Sequence, residues 1–367
     1  MKLNIIKERL KEAIGLAERI TSKNASLAIL NSVILEAEGS LLSIKATNLE
    51  VGIEIQVPAK IDQVGSVAVN GQVLVNFLNN LYKEDKVNLE IVGGNISIST
   101  TKGSTLLKSV PIDDFPSIPH VTDGFSVVLT TNDLVANFKA VVYAAAVSDI
   151  KPEIASVYLH LENKTLIFVA TDSFRLAEKR LNLTTKIDGE FNPIIIPLKN
   201  ALEIIRIFDG FDDQVTLQAN KHQLSIYTNQ IHFTSRLLDG IYPDYQQIIA
   251  KNYATKAVIN RQELLNALKL TNVFSDRLNQ VELKINPTKP IFELSSKNQD
   301  IGENTIELEA NLSGDEVALG FNAKYLLDCF SSLAGEEISL CFNGPQRPLT
   351  VINNANQFTY LVMPVRR

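Results

Sequence analysis

The chain reads as an α+β protein made of three copies of one module, and three features of the sequence say so. Amphipathic helices are expected to start at Lys7, Asn132 and Arg261, and a second set at about Gln72, Leu198 and Ala323. Both sets therefore recur at a period of roughly 125 residues. Between the helices run short strand-like segments, grouped rather than alternating with helices, which favours antiparallel sheets. Each copy also closes on an apolar stretch broken by proline: Asp114-Phe115-Pro116-Ser117-Ile118-Pro119, Ile241-Tyr242-Pro243-Asp244-Tyr245 and Met363-Pro364-Val365. Solenoid repeats span about 20–50 residues, so this longer period marks a domain triplication. The expected modules are 1–120, 121–250 and 251–367.

In the first module, Ile6, Leu10, Ala13, Ile14, Ala17 and Ile20 recur at helical spacing, which predicts a helix over 7–21. Strands are expected at 32–36, 41–44 and 51–55, then a helix over 72–82 carrying Leu74, Phe77, Leu78 and Leu81. Val87–Ile91 and Ile96–Ser99 flank Gly93-Gly94-Asn95, a hairpin signal. The second module repeats the order, with helices over 132–146 and 198–208 and a hairpin over 214–227. The third has helices over 261–275 and 323–333 and a last strand, Phe358–Val362.

At 367 residues the chain is too long for one ordinary core, and 45% hydrophobic with 21% charged residues is the composition of a globular protein. No apolar run reaches membrane-spanning length, and Met1–Glu8 lacks the apolar region of a signal peptide. Cys329 and Cys341 sit outside metal-ligand spacing, so a reducing cytoplasm is the simplest compartment. Net charge is -6, whereas proteins that grip DNA by neutralising phosphates are usually basic. If this chain works on DNA, something other than electrostatic adhesion keeps it there.

Catalytic constellations are scarce. His120, His160, His222 and His232 form no pair at helical metal spacing, and there is no P-loop, dinucleotide fingerprint or Gly-x-Ser-x-Gly elbow. Asp113-Asp114 and Asp212-Asp213 fall in turn-like stretches, where solvated loop charge explains them. His160 lies inside an apolar strand, Val157–Leu161, and reads as a structural polar residue. No catalytic residue, metal or cofactor is expected. One rival reading is an enzyme assembled in space around Asp172 and Arg175 in the cleft between the second and third modules. Another is a repeat adhesin.

In mid-chain, an apolar strand, Thr165–Val169, runs into Ala170-Thr171-Asp172-Ser173-Phe174-Arg175-Leu176-Ala177. Composition alone makes this a hairpin corner. It also resembles the signature hairpin of the bacterial DNA polymerase III beta subunits, the processivity sliding clamps, whose run is threonine-aspartate-glycine-histidine-arginine-leucine. The likeness extends to chain length, the triplication, the Tyr242-Pro243-Asp244-Tyr245 corner and the Met363-Pro364-Val365-Arg366 end.

The resemblance implies modules of two helices on curved antiparallel sheets, joined head to tail as a homodimer ring on double-stranded DNA. A module of ~120 residues is about 35 Å wide, so six leave roughly 35 Å across the hole, enough for a duplex. It further implies an apolar pocket for short linear peptides of polymerase and clamp-loader subunits. By matching motif the lining is Ile154, Thr171, Ser173, Phe174, Arg175 and Leu176, with Pro243, Ile248, Val362, Met363, Pro364 and Val365. Asn322, Tyr325, Gln346 and Pro348 lie further out. Arg175 is expected to bond a peptide carbonyl and stack on an aromatic ring.

Three departures stand out: Ser173 and Phe174 replace the glycine and histidine, Gln246-Gln247 replaces a commonly basic position, and Asn24 stands where an arginine is found. DNA-facing candidates are Lys23, Lys139, Lys151, Lys199, Arg206, Lys269 and Lys324, spaced among Asn76, Asn79, Asn80, Asn137 and Asn200. Sparse, weak phosphate contacts suit sliding, because each must break at every step. For the subunit joint the expected partners are Val273 and Phe274 against Leu106 and Leu107. Asp300, Glu303 and Glu307 are expected to meet Lys102 and Lys108.

Overall fold

Six α-helices and four antiparallel sheets account for most of the chain in a computed structural model that describes residues 1–21 and 27–365. Two compact units result: one of Met1–Asn132, Thr185–Asn192 and Arg206–Leu237, and one of Asp133–Thr184, Pro193–Ile205 and Leu238–Arg367.

In the first unit, α1 (Lys7–Ile20) buries the stripe Leu10, Ala13, Ile14, Ala17 and Ile20 that its spacing predicts. α2 (Gly71–Asn80) starts under Asn70, whose side chain accepts a hydrogen bond from Val73 N. A five-stranded sheet runs in the order Lys60–Gln63, Lys2–Ile6, Lys86–Val92, Asn95–Ser99, Ser104–Leu107. A ten-stranded sheet joins strands from the expected first and second modules, because Val51–Pro58 pairs with Ile231–Arg236, Val51 opposite Ser235 and Ile55 opposite Ile231.

In the second unit, a nine-stranded sheet is joined the same way. Arg175–Asn182 pairs with Phe358–Val362, Arg175 opposite Val362 and Lys179 opposite Phe358. A four-stranded sheet runs Gly302–Leu308, Ile291–Asn298, Gln280–Asn286, Val317–Asn322. Phe138, Phe168, Phe292, Phe321, Phe342, Phe358 and Tyr360 are all fully buried here, and Phe138 meets Phe168 edge to face at 5.1 Å. The remaining helices of the chain are α3 (Thr131–Val141), α4 (Leu198–Phe208), α5 (Arg261–Asn272) and α6 (Ala323–Asp328).

Two helices give way to 3-10 turns well before the ends the sequence predicts. α3 gives way to a 3-10 turn at Val142–Ala144, and α6 to another at Cys329–Ser332. Both turns sit beside Arg175, and the first leaves the Tyr143 carbonyl oxygen to accept from Arg175 Nη2 at 2.6 Å. Strands at Lys2–Ile6, Lys60–Gln63, Gly65–Asn70 and Ser104–Leu107 complete the sheets beyond the expected ones.

Candidate functional site

The strands Thr165–Thr171 and Arg175–Asn182 meet in the turn 172–174, and side chains hold its shape. Asp172 Oδ1 accepts from the backbone N–H groups of Phe174 and Arg175, each at 2.9 Å. Thr171 Oγ1 donates to Arg175 O at 2.6 Å and accepts from Ser173 N at 3.2 Å. Four bonds thus offset the cost of placing Ser173 at φ 76°, a left-handed conformation natural to glycine.

Arg175 is the hub of the second unit. Its Nε donates to Asp172 Oδ2 at 2.9 Å and its Nη1 to Asp328 Oδ2 at 2.6 Å, while Nη2 holds Tyr143 O. The guanidinium stacks 4.3 Å from the Tyr325 ring centroid and 5.8 Å from that of Tyr143. Burial alone lowers its pKa, but the Asp328 hydrogen bond and the Asp172 charge outweigh burial and raise it above its ordinary value. With its side chain 10% exposed, Arg175 ties the hairpin to α6 and to the 3-10 turn that follows α3.

The last strand continues the pattern. Met363 N donates to Phe174 O and Val365 N to Gly320 O, each at 2.8 Å, so the tail bridges the hairpin and the edge strand Val317–Asn322. Below the tail, Leu176, Val169, Ile167, Ile195, Tyr242, Tyr245 and Leu361 form one buried cluster. Tyr242 stacks on Tyr158 with centroids 4.5 Å apart and planes 3° from parallel, fixing the Pro243 corner on that cluster.

The expected lining therefore separates into two layers. Ile154, Thr171, Leu176 and Val362 are buried, Val362 completely, and are floor. Ser173, Pro243, Phe174 and Ile248 are exposed, the last two at 61% and 49%, while Met363, Pro364 and Val365 are half-buried. Tyr325 is half-buried under Arg175, and Pro348 precedes Leu349, which pairs with Val362. Gln346 is exposed. Asn322 is spent locally: its side chain caps α6 by accepting from Lys324 N and Tyr325 N, and donates to Leu278 O. Gln247 bonds Asp244 and Gln246 bonds Glu162, each at 2.6 Å, so the position expected to be basic is neutral and self-engaged.

Sequence reasoning missed two partners of Arg175, Asp328 and Tyr143, and the polar residues beneath the corner. Asp328 and Tyr143 lie far away in sequence, with no local signal. Glu178 had one: it stands two residues after Leu176 on the same strand face, hence inward.

Among the DNA-facing candidates, Lys139, Lys151, Arg206, Lys269 and Lys324 are exposed. Lys199 is exposed too, but its charge meets Asp149 at 3.0 Å. Lys23 and Asn24 lie outside the described residues. Asn137 and Asn200 are buried at 3% and 5% exposure, so neither lines a surface; Asn137 instead donates to Asp133 O. Each joint candidate sits at a sheet edge or helix end: Leu106, 53% exposed, on the edge strand Ser104–Leu107 beside half-buried Leu107, and Val273, 63% exposed, just after α5. The Phe274 ring is half-buried and faces Gly302. Glu303 pairs with Lys297 at 3.1 Å. No group of three or more His, Cys, Asp or Glu among the described residues could hold a metal, and no helix among them is long and apolar enough to cross a membrane.

Comparison with known proteins covers the chain end to end. The chain is 27% identical to the beta sliding clamp of Bacillus subtilis and 26% identical to that of Caulobacter vibrioides, over all of both chains in each case. The crystal structure of the DNA polymerase sliding clamp from Bacillus subtilis superimposes with a TM-score of 0.95 at 26% identity, covering 100% of this chain and 99% of that one. That of the DNA polymerase III beta subunit from Thermotoga maritima gives 0.91 at 26% identity with the same coverage. Because the N-terminal, central and C-terminal domain models of the DNA polymerase III beta subunit match residues 1–119, 128–244 and 246–366 in turn, the chain belongs to the DNA polymerase III beta subunit family, the sliding clamps.

Proposed function

We propose that two copies of this chain close head to tail into a ring around double-stranded DNA, and that the surface at the Thr171 hairpin holds short peptides of polymerase and clamp-loader subunits. The modules are 1–120, 121–250 and 251–367, and the helices face the duplex with Lys139, Lys151, Arg206, Lys269 and Lys324 as sparse phosphate contacts. The joint forms where Leu106 and Leu107 of one copy meet Val273 and Phe274 of the other.

The observation that carries the peptide site is its two-layer build: an apolar rim of Phe174, Ile248 and Met363 over a floor already packed and hydrogen-bonded. Such a surface is preformed, so a peptide bound there spends little free energy on reorganising it. The deformable Met363 suits varied partner side chains. A non-catalytic role agrees with the pairing of Asp172 and Asp328 with Arg175, since the rival enzyme reading is built around Asp172 and Arg175. Net charge of -6 favours retention by enclosure over electrostatic adhesion, and the cysteine usage is that of a cytoplasmic protein working on the chromosome.

Two measurements test this. Protein loaded by its ATP-driven loader onto nicked circular plasmid should resist high salt and then slide off once the plasmid is linearised; equal loss from circles and linear ends refutes enclosure. Truncation after Val362 should abolish peptide binding in an anisotropy titration while the dimer persists in sedimentation. Unchanged affinity refutes the site.

A further inference from the structure

Behind the outer wall of the rim lies a chain of buried polar groups. Tyr245 Oη donates to Glu178 Oε2 at 2.8 Å, and His160 Nε2 lies 2.7 Å from that same Tyr245 Oη. All three are interior, at 5%, 3% and 8% exposure. Because the Tyr245 proton goes to the carboxylate, its oxygen must accept from the imidazole, which places the His160 proton on Nε2. Glu178 Oε1 accepts from Arg180 Nε at 2.7 Å, and Arg180 Nη1 reaches Glu162 Oε2 at 3.1 Å. Gln246 closes the chain by donating to Glu162 Oε1.

Adjacent corner residues are thus tied to two carboxylates on the sheet. The groups that would touch a ligand, Pro243 and Ile248, are themselves exposed and gain little hold from their own packing. Their position depends on Tyr242, stacked on Tyr158, and on Tyr245. Both ties end on a carboxylate, but that of Tyr245 is buried and that of Gln246 is open to water, so the Tyr245 anchor is the stronger polar tie.

We propose that Tyr245 is a positioning residue for peptide binding: pinned between Glu178 and His160, it sets the Pro243–Ile248 wall, and His160 makes that hold weaken on acidification. The inference rests on the peptide-site reading above. The groups facing His160 are Tyr245 from the corner, Tyr158 and Glu162 from its own strand, and Glu178 and Arg180 from the strand Arg175–Asn182. Burial lowers the imidazole pKa; Glu162 and Glu178 oppose that and Arg180 adds to it. A histidine that resists protonation while the corner is closed favours an open corner once the pH drops below its ordinary value of about 6.5. Affinity is then full at neutral pH and declines as pH falls, because only the closed fraction binds.

The test uses the full chain and a fluorescein-labelled, capped decapeptide bearing leucines and a phenylalanine but no group titrating between pH 5.5 and 7.5. Wild-type affinity should fall several-fold from pH 7.5 to 5.5. Tyr245→Phe should bind about tenfold more weakly at pH 7.5, the size of one lost hydrogen bond to a charged group. His160→Gln, whose amide donates but does not titrate, should flatten the pH curve, and it decides the matter alone if Tyr245→Phe fails to fold. Wild-type affinity for Tyr245→Phe, or an unaltered pH curve for His160→Gln, overturns the positioning role while leaving the peptide site standing. Absence of wild-type binding at every pH overturns the site and this inference together.

Discussion

Two hairpins in this chain share one backbone and differ in what they offer to solvent. In the first unit the turn after Thr47 repeats the turn after Thr171 bond for bond. Thr47 Oγ1 donates to Val51 O at 2.8 Å, Leu49 N donates to Thr47 Oγ1, and Asn48 Oδ1 accepts from Glu50 N and Val51 N. Leu49 takes φ 78° where Ser173 takes 76°. The next strand docks identically, Arg236 N on Glu50 O and Met363 N on Phe174 O, both at 2.8 Å. Threonine followed by Asp or Asn is therefore a turn device that serves both places, and it confers no binding function by itself.

The side chains make the difference. Where the second hairpin has Leu176, the first has Gly52, and the space above Gly52 is filled by Ile118 of the connector: a Cβ there would come within 3.0 Å of the Ile118 Cγ2. Where the second has Met363 beside Phe174, the first has Arg236 beside Glu50, an exposed pair 3.8 Å apart. One hairpin is plugged and charged at its rim; the other is paved with leucine and left apolar on top. A binding surface arises here from leaving the rim uncovered over a finished core.

The largest effect should come from removing the paving. Leu176 is 1% exposed within a seven-residue cluster, so Leu176→Ala should lower unfolding free energy by about 2–5 kcal/mol. Urea titration checks it, and a loss below ~1 kcal/mol would mean the floor is not preformed. An acid-dependent loss should follow in the other hairpin's sheet. His232 stands opposite Glu54 and stacks on His120 with ring centroids 3.9 Å apart. Burial, then the neighbouring His120, pushes its pKa down to about 4, with Glu54 opposing. Its folded pKa is depressed, so the unfolded chain binds the proton first. The stability is present above about pH 6.5 and is lost as pH falls toward about 4. Urea midpoints at pH 7.5 and 5 should diverge in the wild type and converge in His232→Asn; equal divergence in both would assign the acid sensitivity elsewhere.

The physical reason the fold was largely legible is periodicity. Helical stripes such as Leu10, Ile14 and Ala17 and the turn chemistry of Thr171-Asp172 are local, and local patterns survive in the sequence. Lys2–Ile6 was legible too, since Leu3 and Ile5 alternate and are buried at 1% and 2%, but the helix that follows at once masked it. The pairing of Arg175 with Val362, and with it the fusion of modules into continuous sheets, has no local trace. The same holds for the site. Its rim residues came from matching motifs, whereas the clasp of Asp328 and Tyr143 on Arg175 is made by residues that only folding brings together.

The smallest effect is the most direct trial of the comparison. Arg236→Met gives the first hairpin the residue of the second at the matching place. The pair it removes is open to water, with Arg236 and Glu50 side chains 64% and 59% exposed, so stability should change by no more than about 0.5 kcal/mol. An apolar rim residue alone should not create a site, because Ile118 still occupies the space over Gly52. A truncated chain ending at Val362 and carrying Arg236→Met should therefore stay silent toward the labelled peptide. If it binds, the plug at Ile118 is not what separates the two hairpins, and the charge at the rim is.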